Sequence, residues 1–129
     1  MKAGQGFLAR SVLKLTGRGK LTILLYHRVL ERADPLFPSI VDAKAFDEQL
    51  QWLAASLRVL PLAEAVDMLR EDRLPGAAAC ITFDDGYADN AQVALPILLR
   101  RQLPATFFVT RKPCRSNSAV CSAHDWNSV

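Results

Sequence analysis

The 129 residues predict an α/β chain in which strands alternate with helices around a parallel sheet. Three observations carry this. Leu21–Tyr26 and Ala79–Phe83 are short apolar runs with the length and residue types of strands covered on both faces. Phe46, Leu50, Leu53 and Leu57 then recur at helical spacing, as do Leu62, Val66 and Leu69. A third strand-like run, Ala105–Thr110, follows a further helical stretch. Such alternation implies right-handed crossovers and parallel pairing.

Composition bounds the reading. Half of the residues are apolar, enough for one core, and the length suits at most one domain. No apolar stretch has the length needed to cross a membrane. The net charge of +3 is modest but uneven. Lys2, Arg10, Lys14, Arg18, Lys20 and Arg28 all precede the first acid, Glu31, so residues 1–20 form a basic leader. With Phe7, Leu8, Val12 and Leu15 at near-helical spacing, that leader suits peripheral contact with an anionic membrane, or a frayed solvated helix. Arg10 and Lys14 interrupt its apolar stretch, which argues against a signal peptide and for a cytoplasmic or membrane-peripheral location. Aromatic and basic residues do not interleave, so no nucleic-acid partner is expected.

Each element has a local reason. The first strand, Leu21–Tyr26, runs into His27-Arg28 and a loop carrying Pro35 and Pro38. Asp42 is placed to cap the helix of Phe46, Leu50 and Leu53. A short apolar piece, Leu57–Leu60, stops at Pro61. The second helix has Glu64 near its start and Arg70 and Arg73 near its end, as the helix dipole favours, and Pro75-Gly76 breaks it. Cys80 reads as a small buried hydrophobe within the central strand. The next helix ends near Gln102, and Pro96 suits its first turn, so regular helix is expected from about there. Periodicity vanishes after Thr110. Residues 111–129 read as a disordered or out-of-frame tail, whose Cys114, Cys121 and His124 match no common zinc spacing. A Cys114–Cys121 disulfide has no support in the pattern.

The chemistry is concentrated where the central strand stops. Thr82-Phe83 leads directly into Asp84-Asp85-Gly86, two adjacent carboxylates and a glycine suited to positive φ. A bare Asp-Asp-Gly is also a common polar turn before a helix. However, the carboxyl end of a strand is where parallel sheets place their chemistry. Two ionised carboxylates this close require a shared proton or a cation.

Thr82-Phe83-Asp84-Asp85-Gly86-Tyr87 closely resembles the first motif of the polysaccharide deacetylases, metal-dependent carbohydrate esterases similar to chitooligosaccharide deacetylase. Leu24-Leu25-Tyr26-His27-Arg28-Val29, the Phe46/Leu50 helix and Pro104-Ala105-Thr106-Phe107-Phe108-Val109 fall where that family has similar features. The resemblance spans roughly Leu21 to Thr110. It implies an incomplete distorted (β/α) barrel, of which residues 21–110 are the first part. It also implies hydrolysis of N-acetyl, or O-acetyl, groups on a glycan, helped by a divalent metal, zinc first. Carried over, Asp84 is the general base, Asp85 a metal ligand, and His27 a substrate contact at the pocket mouth. The family also needs a His-x-x-x-His pair, an arginine and a late histidine, and none has a match here, since the histidines are His27 and His124. The implied metal set is therefore incomplete and turnover by this chain is not expected. A non-catalytic remnant is the alternative. An acidic magnesium pocket for phosphotransfer is a third reading, weakened by the lack of a suitably placed lysine or threonine.

Overall fold

A computed structural model describes residues 19–109. The expectations for the basic leader, the out-of-frame tail, the Cys114–Cys121 pair and His124 lie outside the described residues. No helix among those described is long and apolar enough to cross a membrane.

The sheet is parallel throughout and is built on its third strand. β1 (Leu21–Tyr26) pairs with β3 (Ala78–Phe83) along its whole length, from Leu21↔Ala78 to Tyr26↔Phe83. The other edge of β3 is shared. β2 (Arg58–Val59) pairs with its start and β4 (Thr106–Phe107) with its end. The run Leu57–Leu60 thus contributes a strand of two residues, and of Ala105–Thr110 only Thr106–Phe107 is strand among the described residues. This open parallel sheet with its helices is the incomplete α/β barrel expected.

All six residues of β3 are buried. Its side chains alternate between two cores, as strand period requires. Ala79, Ile81 and Phe83 join the larger core, with Val29, α1 (Ala43–Ser56) and α3 (Leu95–Arg101). Ala78 and Cys80 face the smaller one, with Leu60, Leu74 and Ala65 of α2 (Leu62–Arg70). α1 matches its sequence pattern closely. Asp42 accepts a hydrogen bond from the Ala45 amide at 2.7 Å, and Phe46, Leu50 and Leu53 are buried. Burying side chains of this size contributes about 1.5–3 kcal/mol each.

The expectations for three elements need correction. β1 is not covered on both faces: Leu24 and Tyr26 pack on the larger core, but Ile23 and Leu25 are 53% and 56% exposed. They share a face with Cys80 and Thr82, and α2 covers that face only beside Leu21, Ala78 and Cys80. α2 turns its Leu62, Ala65 and Met68 side inward and leaves Leu69 exposed, because the small Ala65 allows close approach to β3. It also stops at Arg70, before Arg73, as Asp72 takes a left-handed φ of 52° well ahead of Pro75. Finally, helix begins before Pro96. Ala88 and Asp89 are helical, Asn90–Ala94 form a π-turn, and α3 follows with Pro96 in its first turn. A proline lacks the N–H and crowds the carbonyl four residues back, and a widened turn relieves both. Gln102 closes α3 in the left-handed region, at φ 54°.

Candidate active site at the carboxyl ends of the strands

Because β1 and β3 run parallel, the residues that follow them emerge at the same end of the sheet: His27-Arg28 after β1, Asp84-Asp85 after β3. The ladder continues one residue past β3, since the Asp84 amide donates to the Tyr26 carbonyl at 2.9 Å. The chain then turns sharply. Gly86 has the expected positive φ, 64°, and Asp85 shares it at 71°. Asp is among the few side chains that tolerate this conformation as a single residue. At Gly86 the need for glycine is doubled, because a Cβ there would lie 2.9 Å from Val109 Cγ1. The turn and the segment after β4 are thus fitted to each other.

Tertiary structure joins Asp85 to His27. His27 Nε2 lies 3.9 Å from Asp85 Oδ2, with both side chains about half exposed. Asp84, half-buried, ends the ladder beside them. The two acids therefore occupy different backbone environments, one on the strand and one in the turn.

Beneath the site lies an aromatic tier. Phe83 stacks on Phe107 at 4.8 Å and on Tyr26 at 5.4 Å, and Phe46 meets Tyr26 edge-on at 5.1 Å. Such pairs contribute about 0.5–1.5 kcal/mol each beyond their buried area. The Tyr26 hydroxyl donates to Gln49 Oε1 at 2.9 Å, and burial raises the phenol pKa. Thr82, buried between the strands, donates its hydroxyl hydrogen to the Leu24 carbonyl at 2.9 Å. The ends of β1, β3 and β4 are thus held to one another directly below the acids.

A polar layer that sequence reading did not identify holds the β1 loop from the side. Arg28 Nε donates to Asp89 Oδ2 at 2.8 Å, and its guanidinium carbon sits 5.2 Å from the Tyr87 ring centre. Asn90 is 1% exposed and its backbone N–H donates to the Tyr87 carbonyl at 3.0 Å. With its amide nitrogen turned to the available acceptors, it donates to the His27 carbonyl at 3.0 Å and to Asp89 Oδ1 at 3.2 Å. Nothing local in the sequence marks this layer, since Arg28 and Asp89 are 61 positions apart.

The donor set decides how much of a metal centre is here. Two tetrahedral zinc donors, each about 2 Å from the ion, stand about 3.3 Å apart, so the 3.9 Å between His27 and Asp85 is wider than a pair closed on one ion. The count also falls short. A catalytic zinc takes three protein ligands, and no group of three His, Cys, Asp or Glu that could hold a metal occurs among the described residues. These residues alone do not make a zinc centre. Two grooves among the described residues also lie away from the acids, one bordered by Lys44, Asp47 and Arg100, the other by Leu24, Tyr26 and Trp52.

Relatives give this geometry its family. The family model for polysaccharide deacetylase matches residues 71–124. The chain carries part of a polysaccharide deacetylase domain. It is 35% identical over 102 residues to YxkH of Bacillus subtilis strain 168, whose name assigns it to the polysaccharide deacetylases. The match takes in 78% of this chain and 35% of that relative, so the chain spans about a third of the relative's length. Among solved structures it is similar to IcaB from Ammonifex degensii, at TM-score 0.60 and 34% identity. The Streptococcus pyogenes deacetylase PplD, solved in complex with acetate, gives TM-score 0.61 and 32% identity. These matches cover 69% and 70% of this chain, against 37% and 42% of the two structures. The deacetylase segment described here contains the acid turn and the strands around it.

Proposed function

We propose that the protein acts on an acetylated polysaccharide or amino-sugar glycan, and that this segment supplies the acid pair of a hydrolytic deacetylase site. Asp84 is the general base, Asp85 a ligand to a divalent metal, zinc first, and His27 a contact to the glycan at the pocket mouth. The observation that carries this is the split acid pair: Asp84 on the ladder, Asp85 in the left-handed turn beside His27. A carboxylate committed to a cation is a poor base, so hydrolysis of this kind needs two acids in separate roles. When bound, the metal would polarise the acetyl carbonyl and lower the pKa of a water. The described residues supply only part of its ligand set.

The test uses a form of the protein with the remaining ligands present. Asp85→Ala is expected to lose the metal, while Asp84→Asn keeps it and loses acetate release from an N-acetylated oligosaccharide. Equal metal content in Asp85→Ala and the parent would remove the assignment. A second reading rests on the sequence, whose histidines, His27 and His124, form no His-x-x-x-His pair: this chain by itself turns nothing over. Acetate release by the 129-residue chain above a no-enzyme control would reject that reading.

A further inference from the structure

We propose that Asn90 is a positioning residue of this site, anchoring the backbone of His27 so that the imidazole stands beside Asp85. The inference rests on the reading of the acid turn as the site. It begins with a comparison of strengths. The His27–Asp85 contact is long, at 3.9 Å, and half open to water, and even a charged pair so exposed would hold little. It does not set its own geometry. The β1 loop is instead held where water is absent.

Asn90 is almost wholly buried at the start of the π-turn. A buried amide must find partners for its N–H groups, and the acceptors that surround this one, the His27 carbonyl and Asp89 Oδ1, assign the nitrogen to their side. The opposite amide orientation would set oxygen against oxygen. Asp89 then uses its second oxygen to receive Arg28 Nε. Two consecutive residues of the β1 loop are therefore fastened to the segment that follows the acid turn, His27 through its carbonyl and Arg28 through its side chain. Asn90 takes part in the first link directly and steadies the second through Asp89. Because residues 84–90 also carry Asp85, the strut fixes one wall of the site against the other.

The experiment is NMR on the isotopically labelled 129-residue chain, kept cold and free of metal. Three observations are expected in the parent: a hydrogen-bond scalar coupling from the Asn90 side-chain nitrogen to the His27 carbonyl, an NOE from the His27 ring to the Asp85 β-protons, and NOEs across the Leu24–Ile81 ladder. Absence of the scalar coupling overturns the proposal, whatever the variants do. Asn90→Ala removes the amide, and Asn90→Asp keeps its shape but cannot donate. Both are expected to lose the His27–Asp85 NOE while keeping the Leu24–Ile81 ladder. If Asn90 only fills space, Asn90→Asp keeps the His27–Asp85 NOE, and the proposal is overturned. The metal reading is tested separately, by the metal content of a form that carries the remaining ligands. Equal metal in Asp85→Ala and its parent there would remove the metal assignment and leave the Asn90 result as it stands.

Discussion

β1 and β3 look alike as sequence and differ as structure. Both are short apolar runs, paired residue for residue over six positions. β3 is buried throughout, flanked by β1 on one edge and by β2 and β4 on the other. β1 pairs only with β3 among the described residues and leaves Ile23 and Leu25 facing outward. An apolar run therefore reports the coverage a strand can accept, and neighbouring elements decide how much it receives. The same contrast explains where the chemistry sits. The acids follow the strand held on every side, where a turn with two left-handed residues can be kept in place.

The largest expected effect lies in β3. Ile81→Ala removes a side chain 1% exposed in the larger core and should cost about 2–5 kcal/mol. Urea denaturation should show either a large drop in midpoint or no cooperative transition. A loss no greater than that from the same change in β1 would break the comparison.

Gly86→Ala tests the turn at the end of β3. Left-handed backbone costs a residue with a side chain about 1–2 kcal/mol, and the new Cβ would press on Val109. A fall in thermal midpoint of matching size is expected. An unchanged midpoint would show that the turn and the segment after β4 are not fitted as described.

Acid tests the covered side of the sheet. Arg101, hydrogen-bonded to Asp47 through two nitrogens at 2.5 and 2.8 Å, and then Arg100 hold that carboxyl at about 2, below its ordinary 3.8. A lowered native pKa stabilises the fold above 3.8, and the contribution is lost as pH falls toward 2. The tie joins α1 to α3 and is partly open to water, so less than about 1 kcal/mol is expected from it. Between pH 4 and pH 2 the parent should lose more stability than Asp47→Asn. Parallel pH profiles would contradict this.

The smallest effect is the one that sharpens the contrast. Ile23→Ala repeats the first change on the exposed face of β1, where a cost near 0.5 kcal/mol or less is expected. A cost equal to that of Ile81→Ala would mean that the outer face of β1 is covered in solution.

Short-range physics made much of this legible in the sequence. β1 matched its predicted span, β3 began one residue early, and α1 began after its Asp42 cap, because strand runs and caps are decided within a few residues. The turn at Asp84-Asp85-Gly86 was legible for the same reason. Only the tertiary structure decided that β2 and β4 share one edge of β3, that α2 turns Ala65 inward, and that Ile23 and Leu25 stay uncovered. It alone brought His27 to Asp85, and Arg28 to Asp89 across 61 positions. Those outcomes depend on which surfaces meet once the chain has crossed over, and no period of two or 3.6 residues records a partner that far away.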